Sequence, residues 1–217
     1  MTSSCIPLKF NLQFIDNIYL PSTEVKPQII PFSSYEFINV YDIFGNSLPL
    51  NLEIGSGNGE FIENIALLHN NENFLGFEIV KKVLIKAVKR IKRSKLSNVR
   101  LIHYDVLFFL KMLKNNSLKN IYINFPDPWP KRKHNKRRLV KIDFLSMLHN
   151  KLEKNGSLYI VTDFADYACE ITANISKSPF RNYYNTPYVN YLDNYFETKY
   201  YKKFAKDNQV FFFKLIK

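Results

Sequence analysis

The length, composition and charge of the chain set the first bounds on its function. With 217 residues, 46% of them hydrophobic and 16% aromatic, the sequence can form one domain with a sizeable core, which excludes a disordered chain. The formal net charge of +12 favours a polyanionic partner, nucleic acid before an anionic membrane; a basic balance that only keeps the protein soluble is the alternative.

The N-terminal stretch is rich in proline and is predicted to form extended segments and loops. We therefore expect an N-terminal extension over residues 1–47 and one further domain over residues 48–217. The stretch lacks the basic and apolar regions of a signal peptide, and no apolar run in the chain approaches the ~20 residues of a membrane span. Two cysteines, Cys5 and Cys169, supply neither a disulfide framework nor a zinc set, which suits a reducing cytoplasm.

From Leu48 onward, short apolar runs alternate with segments of helical periodicity. This alternation predicts an α/β fold with a central, mostly parallel sheet and helices on both faces. The fourth helix is expected to close with Gly156 as its C′ residue, and a loop with a final strand is predicted for residues 200–217. The predicted strands cover residues 48–54, 73–79, 98–106, 118–125 and 157–163, and the helices cover residues 60–69, 80–95, 107–115, 139–156 and 164–178.

A glycine-rich turn, LEIGSGNGEF, joins the first of these strands to the first helix, with glycines at positions 55, 57 and 59. Doubly wound sheets bind nucleotides at such a turn, but the spacing is that of neither a dinucleotide motif nor a P-loop. Glu53, before Gly55 and Gly57, disfavours a pyrophosphate and favours a positively charged ligand. S-adenosylmethionine carries a sulfonium and an ammonium and no phosphate. A plain tight turn is the alternative.

Two more acids end the next two predicted strands. Glu78, in GFEI, lies about 20 residues beyond the glycines, where an acid accepts hydrogen bonds from ribose hydroxyls. Asp105, in HYDV, is suited to an adenine amino group or to capping the helix that follows, and for Asp105 alone the cap is favoured. Three acids at three successive strand ends together predict an adenosyl pocket.

The fourth predicted strand runs into NFPDPWPKRKHNKRR, residues 124–138. Prolines on both sides of Asp127 restrict the backbone and remove amide donors, so the carboxylate is expected on a rigid turn. Dense positive charge follows, which predicts a loop that binds RNA phosphates. A proline-rich structural turn and a solvated charged loop are the alternatives. The residues expected to contact RNA are Lys131, Arg132, Lys133, His134, Lys136, Arg137 and Arg138.

Four segments, LEIGSGNG, GFEI, FPDPWPKRKHNKRRL and YIVTDFADYA, together resemble the tRNA (guanine-N7-)-methyltransferase family, from about Leu52 to the C-terminus. The resemblance implies a Rossmann-like methyltransferase fold and transfer of a methyl group from S-adenosylmethionine to N7 of guanine 46 in the variable loop of tRNA. It also implies that Asp127 is catalytic, at the junction of cofactor and substrate. By position, the cofactor-binding residues would be Glu53, Gly55, Gly57, Glu78, Asp105 and Asp127.

The resemblance further implies a set of substrate-binding residues. Lys131 and Asp163 match two of them by position. The family also carries a C-terminal motif, Thr-x-Phe/Tyr-Glu, whose best match here is TKYY, with Tyr201 in place of the glutamate and Glu197 nearby. The substrate residues of this match are Thr198, Lys199, Tyr200 and Tyr201.

Methylation of guanine N7 agrees with the side chains that the sequence offers. N7 attacks through a lone pair and has no proton to lose, so the reaction needs alignment and no general base. In an A-form helix this atom lies in a groove that side chains do not reach, so the target must be in a loop or leave its stack. The basic outer face of residues 81–95 is expected to bind phosphates beside the loop of residues 131–138.

Two other functions compete with this interpretation. Amino-group methyltransferases of nucleic acids carry Asn/Asp-Pro-Pro-Tyr/Phe at the same strand end, whereas the order here is Phe-Pro-Asp-Pro-Trp. A non-catalytic RNA-binding subunit would have lost the cofactor acids, which are present. We expect a cytoplasmic monomer or homodimer with tRNA as its partner, without a metal and without membrane contact.

Overall fold

A computed structural model describes residues 40–193, 195–205 and 209–217 and the backbone of two short N-terminal strands. Its strands are β1 Leu12–Ile15, β2 Ile18–Pro21, β3 Leu50–Ile54, β4 Asn73–Phe77, β5 Val99–Ile102, β6 Leu118–Asn124, β7 Leu152–Thr162, β8 Arg181–Asn182 and β9 Phe211–Ile216. Its helices are α1 Val40–Phe44, α2 Glu60–Leu68, α3 Lys81–Arg93, α4 Val106–Met112, α5 Ile142–Lys151 and α6 Ala165–Ile175, with a 3-10 turn at Arg132–Arg137 and a π turn at Tyr201–Ala205.

The strands form one sheet in the order β1-β2-β5-β4-β3-β6-β7-β9-β8. Strands β2 to β7 run parallel to one another, while β9 is antiparallel to both of its neighbours. The chain order reverses between β3 and β6, and in open α/β sheets ligands bind at such a switch, outside the carboxyl ends of the strands. The predicted mostly parallel α/β sheet is confirmed.

Helices cover both faces of the sheet. On one face α2 packs against α3 over a buried cluster that includes Ile62, Leu84 and Leu101. On the other face α4, α5 and α6 pack in sequence over a larger cluster that includes Leu52 and Leu145. Both faces are covered, and for that reason every residue of β3 and β4 is buried, including the polar Asn51, Glu53 and Asn73.

The predicted end of the fourth helix is wrong. Helix α5 ends at Lys151, and β7 begins at Leu152, so Gly156 lies inside a strand. A Cβ atom at Gly156 would lie 2.9 Å from the carbonyl oxygens of both Lys119 and Glu153. The glycine therefore permits close backbone approach where β6 meets β7, at an irregularity in their register.

Part of the N-terminal stretch joins the sheet. Strand β2 pairs with β5 through Ile18 with Leu101 and Tyr19 with Ile102. Most of residues 1–47 lie outside the described residues, and the division of the chain at residue 47 stays a prediction. Among the described segments, no helix has the length and apolar character needed to cross a bilayer.

Candidate active site

The glycine turn lies between β3 and α2 and opens away from the protein. The backbone amides of Gly55 and Ser56 both donate to the carbonyl of Phe77, at 2.9 and 2.8 Å, which holds the turn against the end of β4. Gly55 and Gly57 have φ of +79° and +55°, a region that side chains with Cβ adopt at a cost. Apart from the chain neighbours of each glycine, no atom of the described residues lies within 4 Å of a Cβ built on Gly55 or Gly57. The space beside the turn is therefore free for a ligand.

Glu78 braces this turn. Its Oε2 accepts from the amide of Gly57 at 3.0 Å, and its Oε1 accepts from the amide of Val80 at 2.8 Å. Each carboxylate oxygen can accept more than one hydrogen bond, so the remaining lone pairs stay available to hydroxyl donors such as those of a ribose. The carboxylate is thus oriented before a ligand arrives.

Glu53 is almost completely enclosed, with 3% of its surface exposed. Its Oε1 accepts from the side-chain amide of Asn124 at 3.2 Å, whereas its buried Oε2 has no hydrogen-bond partner among the residues that the structure describes. Burial raises the pKa of Glu53 to about 8; the amide of Asn124 opposes this rise, and the charge of Glu78 adds to it. A buried acid that lacks one partner is suited to a ligand that brings a cation or a hydrogen-bond donor.

Asp105 ends the loop after β5 and is exposed. It is the N-cap of α4, and its Oδ1 accepts from the amide of Leu107 at 2.8 Å. Of the two roles that the sequence left open, the cap is therefore present. It engages one carboxylate oxygen and leaves an adenine contact through the other as a prediction.

These features fit S-adenosylmethionine. The unpartnered Oε2 of Glu53 lies at the switch of the sheet, the space beside Gly55 and Gly57 is open, and the carboxylate of Glu78 is oriented next to it. All the charge contributed by these residues is negative, which suits a cationic ligand and opposes a phosphate. In the described part of the chain, no three His, Cys, Asp or Glu side chains cluster in a way that could hold a metal ion.

The turn that carries Asp127, defined here as residues 125–129, begins where β6 ends. Asp127 is exposed, and the residues at the two ends of the turn, Phe125 and Trp129, have φ of +49° and +44°. Such conformations are strained for residues other than glycine and concentrate at functional sites. The amide of Phe125 donates to the carbonyl of Val161 at 2.8 Å, which fixes one end of the turn to β7.

Distant parts of the chain meet beside this turn. The ring of Tyr200 lies 4.8 Å from that of Phe125, centroid to centroid, and the Tyr200 hydroxyl hydrogen-bonds to Asp163. Burial raises the pKa of Tyr200, and the charges of Asp163 and Asp127 raise it further. Burial also raises the pKa of Asp163. The fold therefore brings two predicted substrate residues, Asp163 and Tyr200, to the turn that carries the predicted catalytic acid.

The remaining residues of the C-terminal match form a compact turn. The buried Thr198 accepts through its Oγ1 from the amide of Tyr201 at 3.2 Å. The amide of Lys199 donates to Oε2 of Glu60, in the first turn of α2, at 2.8 Å. The ring of Tyr201 lies 5.5 Å from that of Tyr195, so it packs among aromatic rings where the family has a glutamate.

The basic loop, residues 131–138, stands largely in solvent. Arg137 places its guanidinium 4.8 Å from the centre of the Trp129 ring, and His134 meets the same ring edge-on at 5.8 Å. The loop therefore contacts the Asp127 turn through Trp129. The cations of this loop that are exposed are Lys131, Arg132, Lys133, Lys136 and Arg137.

Arg138 does not belong to this exposed set, and its interpretation as an RNA contact is corrected. Its side chain is 1% exposed, and its guanidinium pairs with Asp166 at 2.6 Å and with Glu170 at 2.5 Å. Its Nε donates to the carbonyl of Pro128 at 2.8 Å. With these partners the head group is satisfied inside the protein.

Helix α3 supplies a second basic surface. Lys81, Lys82, Lys86 and Lys89 are exposed. Arg90 points elsewhere: it pairs with Glu63 at 2.7 Å, so it does not join this surface.

Two residues that sequence reasoning did not assign connect the parts of the site. Asn124, the last residue of β6, donates to Glu53 and lies within 3.5 Å of the hydroxyl of Tyr195. Asn124 is the last residue of β6, which pairs with β3. Aligning the ends of the predicted strands could therefore have identified it from the sequence. Tyr195 carries no such signal, because it reaches the site from an irregular segment 71 residues further along the chain.

The chain is similar to known methyltransferases. A family model described as "Putative methyltransferase" matches residues 47–213. A tRNA (guanine-N(7)-)-methyltransferase of Thermotoga maritima is 40% identical over 158 residues, which cover 72% of this chain and 50% of that protein. A tRNA (guanine-N(7)-)-methyltransferase of Syntrophotalea carbinolica is 36% identical over 173 residues, which cover 79% of this chain and 75% of that protein. A solved structure of an antibiotic-related methyltransferase is 25% identical with a TM-score of 0.59, covering 88% of this chain and 96% of that one.

The fold, the glycine turn and the acids at the strand ends define a class, the Rossmann-like methyltransferases that use S-adenosyl-L-methionine. Within that class, the chain belongs to the tRNA (guanine-N7-)-methyltransferase family. It spans half of the length of the Thermotoga maritima relative and three quarters of the length of the Syntrophotalea carbinolica relative.

Proposed function

We propose that this protein transfers a methyl group from S-adenosylmethionine to N7 of a guanine in tRNA, and that the target is guanine 46 of the variable loop. The observation that carries the proposal is that Tyr200 packs on Phe125 in the Asp127 turn, that Asn124 just before this turn binds Glu53, and that the exposed Arg137 of the basic loop packs on Trp129 at its other end. The relatives from Thermotoga maritima and Syntrophotalea carbinolica bear the name of this activity.

The cofactor-binding residues act before any chemistry. Glu53 and Glu78 bind the positively charged and hydroxyl-bearing parts of the cofactor, with Gly55 and Gly57 allowing its close approach. S-adenosylmethionine, when bound there, supplies an activated methyl group. Burial raises the pKa of Glu53 to about 8, so a cation brought beside its enclosed carboxyl would favour the ionised form, and the resulting attraction is stronger there than in solvent.

On the substrate side, Asp127 orients the guanine. Its carboxylate accepts hydrogen bonds from the donor edge of the base, and Tyr200 offers an aromatic face next to it. No group is required to remove a proton, because N7 reacts through a lone pair. The contribution of these residues is therefore alignment, which is worth several orders of magnitude in well-oriented reactions.

The exposed cations bind the backbone that carries the base. Lys131 and its exposed neighbours belong to the loop that contacts Trp129, and the exposed lysines of α3 supply a second positive surface. Such contacts supply affinity without sequence specificity and weaken with salt. Recognition of one guanine would then come from the fit of a loop nucleotide between Asp127 and Tyr200.

The proposal is tested by incubating the protein with labelled S-adenosylmethionine and bulk tRNA, followed by digestion and identification of the modified nucleoside. We expect 7-methylguanosine, and no label on a tRNA whose position 46 is adenine. Label on an amino group of adenine or cytosine would assign the protein to the amino-group methyltransferases. Calorimetry that shows tRNA binding without any cofactor binding would identify an RNA-binding subunit.

A further inference from the structure

Arg138 joins two elements that carry residues of the site. Its Nε donates to the carbonyl of Pro128, next to Asp127 in the chain, at 2.8 Å. Its guanidinium pairs with Asp166 and Glu170, both on α6, at 2.6 and 2.5 Å. Its guanidinium also lies 5.0 Å from the ring centre of Tyr167 on the same helix. One side chain therefore bridges the Asp127 turn and α6.

The Asp127 turn needs such an anchor. Positive φ angles at Phe125 and Trp129 persist only where surrounding contacts hold them. The amide of Phe125 anchors the first end through Val161. Pro126 and Pro128 in this turn have no N–H to donate, and Pro128 is held through its carbonyl, which accepts from Arg138.

Helix α6 is a firm support for this anchor and is itself linked to the site. The ring of Tyr167 is fully buried, and its hydroxyl accepts from the amide of Val140 at 3.0 Å. Asp163, which hydrogen-bonds to Tyr200, lies just before the start of α6. A bridge from α6 to the Asp127 turn therefore sets the separation between Asp127 and Asp163.

Arginine suits this task better than lysine does. Its planar head presents several donors in a rigid fork, which here reach three acceptors on two elements. A lysine could keep an ion pair with α6 but would lose the fixed direction toward Pro128.

We infer that Arg138 is a positioning residue for the methyl transfer: by binding Pro128 and α6 together, it holds the Asp127 turn at its working distance from Asp163 and Tyr200. The inference rests on the proposed function for its effect on rate, but the anchoring itself is independent of that function. Arg138 therefore has a different role from its neighbour Arg137, whose side chain is exposed.

The single tryptophan of the chain, Trp129, reports on the turn directly. We expect Arg138→Gln to increase the quenching of Trp129 fluorescence by acrylamide, because the far end of the turn loses its anchor. In single-turnover assays at saturating tRNA, the methyl-transfer rate should fall about tenfold or more, since small displacements of reacting groups are costly. Dissociation constants for S-adenosylhomocysteine and tRNA should change by about twofold at most.

Arg138→Lys separates positioning from stability. If the ion pair only stabilised the fold, lysine would largely restore both the melting temperature and the rate. We instead expect Arg138→Lys to recover the melting temperature, while its rate and its quenching stay close to those of Arg138→Gln. Asp166→Asn provides a milder variant, because its carboxylate is 67% exposed and its loss should scarcely affect folding. Arg181→Gln, an exposed arginine on β8, is the matched control and should leave every measurement unchanged.

Three results would overturn the inference. The first is an unchanged rate and unchanged quenching in a folded Arg138→Gln protein. The second is an Arg138→Lys protein in which the methyl-transfer rate and the melting temperature both recover fully. The third is a loss confined to tRNA affinity and its salt dependence, which would make Arg138 an RNA contact. A wild-type protein that does not methylate tRNA would instead reject the proposed function, and the quenching of Trp129 would still decide whether Arg138 anchors the turn.

Discussion

Glu53 and Glu78 are held by the protein, whereas the cations of the basic loop, except Arg138, stand in solvent. The acids are oriented by hydrogen bonds, Glu53 by the side-chain amide of Asn124 and Glu78 by the backbone amides of Gly57 and Val80. The cations can follow a flexible polyanion. The difference suggests a division of work: the acids define a small rigid ligand site, and the loop supplies attraction that tolerates many backbone positions.

Asp127 lies between these two regions, and changing it gives the largest expected effect. Asp127→Asn keeps the size of the side chain but replaces one acceptor by a donor, which would oppose the donor edge of guanine. We expect the single-turnover rate to fall about a hundredfold or more, with tRNA binding largely kept. The loss should be similar across neutral and mildly alkaline pH, because no proton is abstracted.

A rate profile in which the variant regains activity with rising pH would reveal a general base and contradict this account of Asp127. Near-normal turnover would leave the turn as a scaffold. Asp143→Asn, an exposed acid in the first turn of α5, is the control and should be without effect.

The acids are the next most sensitive group. Glu53→Gln and Glu78→Gln should each weaken binding of S-adenosylhomocysteine, since loss of a hydrogen bond to a charged group costs about 1.5–3 kcal/mol, or roughly tenfold or more in affinity. Calorimetry would measure this, with tRNA affinity nearly intact. Glu153→Gln, exposed near the start of β7, serves as the control. Unchanged affinity in both variants would remove the acids from the cofactor site.

Burial of Glu53 also predicts a dependence of stability on pH. Its pKa of about 8 in the folded protein lies above the ordinary value of 4.5, so the stabilising contribution is complete below pH 4.5 and is lost as the pH rises through 8. Between pH 7 and 8 the free energy of unfolding should fall by about 1 kcal/mol through this group. Urea titrations of Glu53→Gln should lack this part of the decline. Parallel curves for both proteins would show that Glu53 is ionised at neutral pH.

The basic loop should give the smallest effect per residue. Replacing Arg132, Lys133 and Lys136 by alanine should lower tRNA affinity and make its logarithmic salt dependence shallower by up to ~0.9 for each phosphate that the loop no longer neutralises. Cofactor affinity should not change. The control removes the same charge from the opposite end of the sheet, at Lys114, Lys154 and Lys177. Equal salt slopes of tRNA affinity in both triple variants would show that the loop is a solvated surface without a phosphate-binding role. The proposed division of work between the acids and the loop would then be wrong.

The sequence by itself determined the elements of the fold and the edge of the sheet at which the cofactor is proposed to bind. Alternating apolar runs and helical periodicities are local patterns, and they predict β3 to β7 and α2 to α6 because each element must bury one face. The positions of Glu53, Glu78 and Asp105 at strand ends follow from the same patterns, since parallel strands end at one edge of a sheet. The glycine-rich turn was identified from the spacing of its glycines alone, without knowledge of the tertiary structure.

Tertiary structure decided what depends on contacts between distant segments. Arg137 and Arg138 are neighbours of the same type in one charged run, yet one is exposed and the other is enclosed by α6. Gly156 follows a helical pattern as a helix-ending residue would, but the structure requires glycine there because a Cβ atom would lie too close to the carbonyl of Lys119 on β6. Tyr200 reaches Asp163 and Phe125 only because the C-terminal segment returns over the sheet. Burial and pairing of charged groups depend on which elements pack together, and a linear pattern does not contain that information.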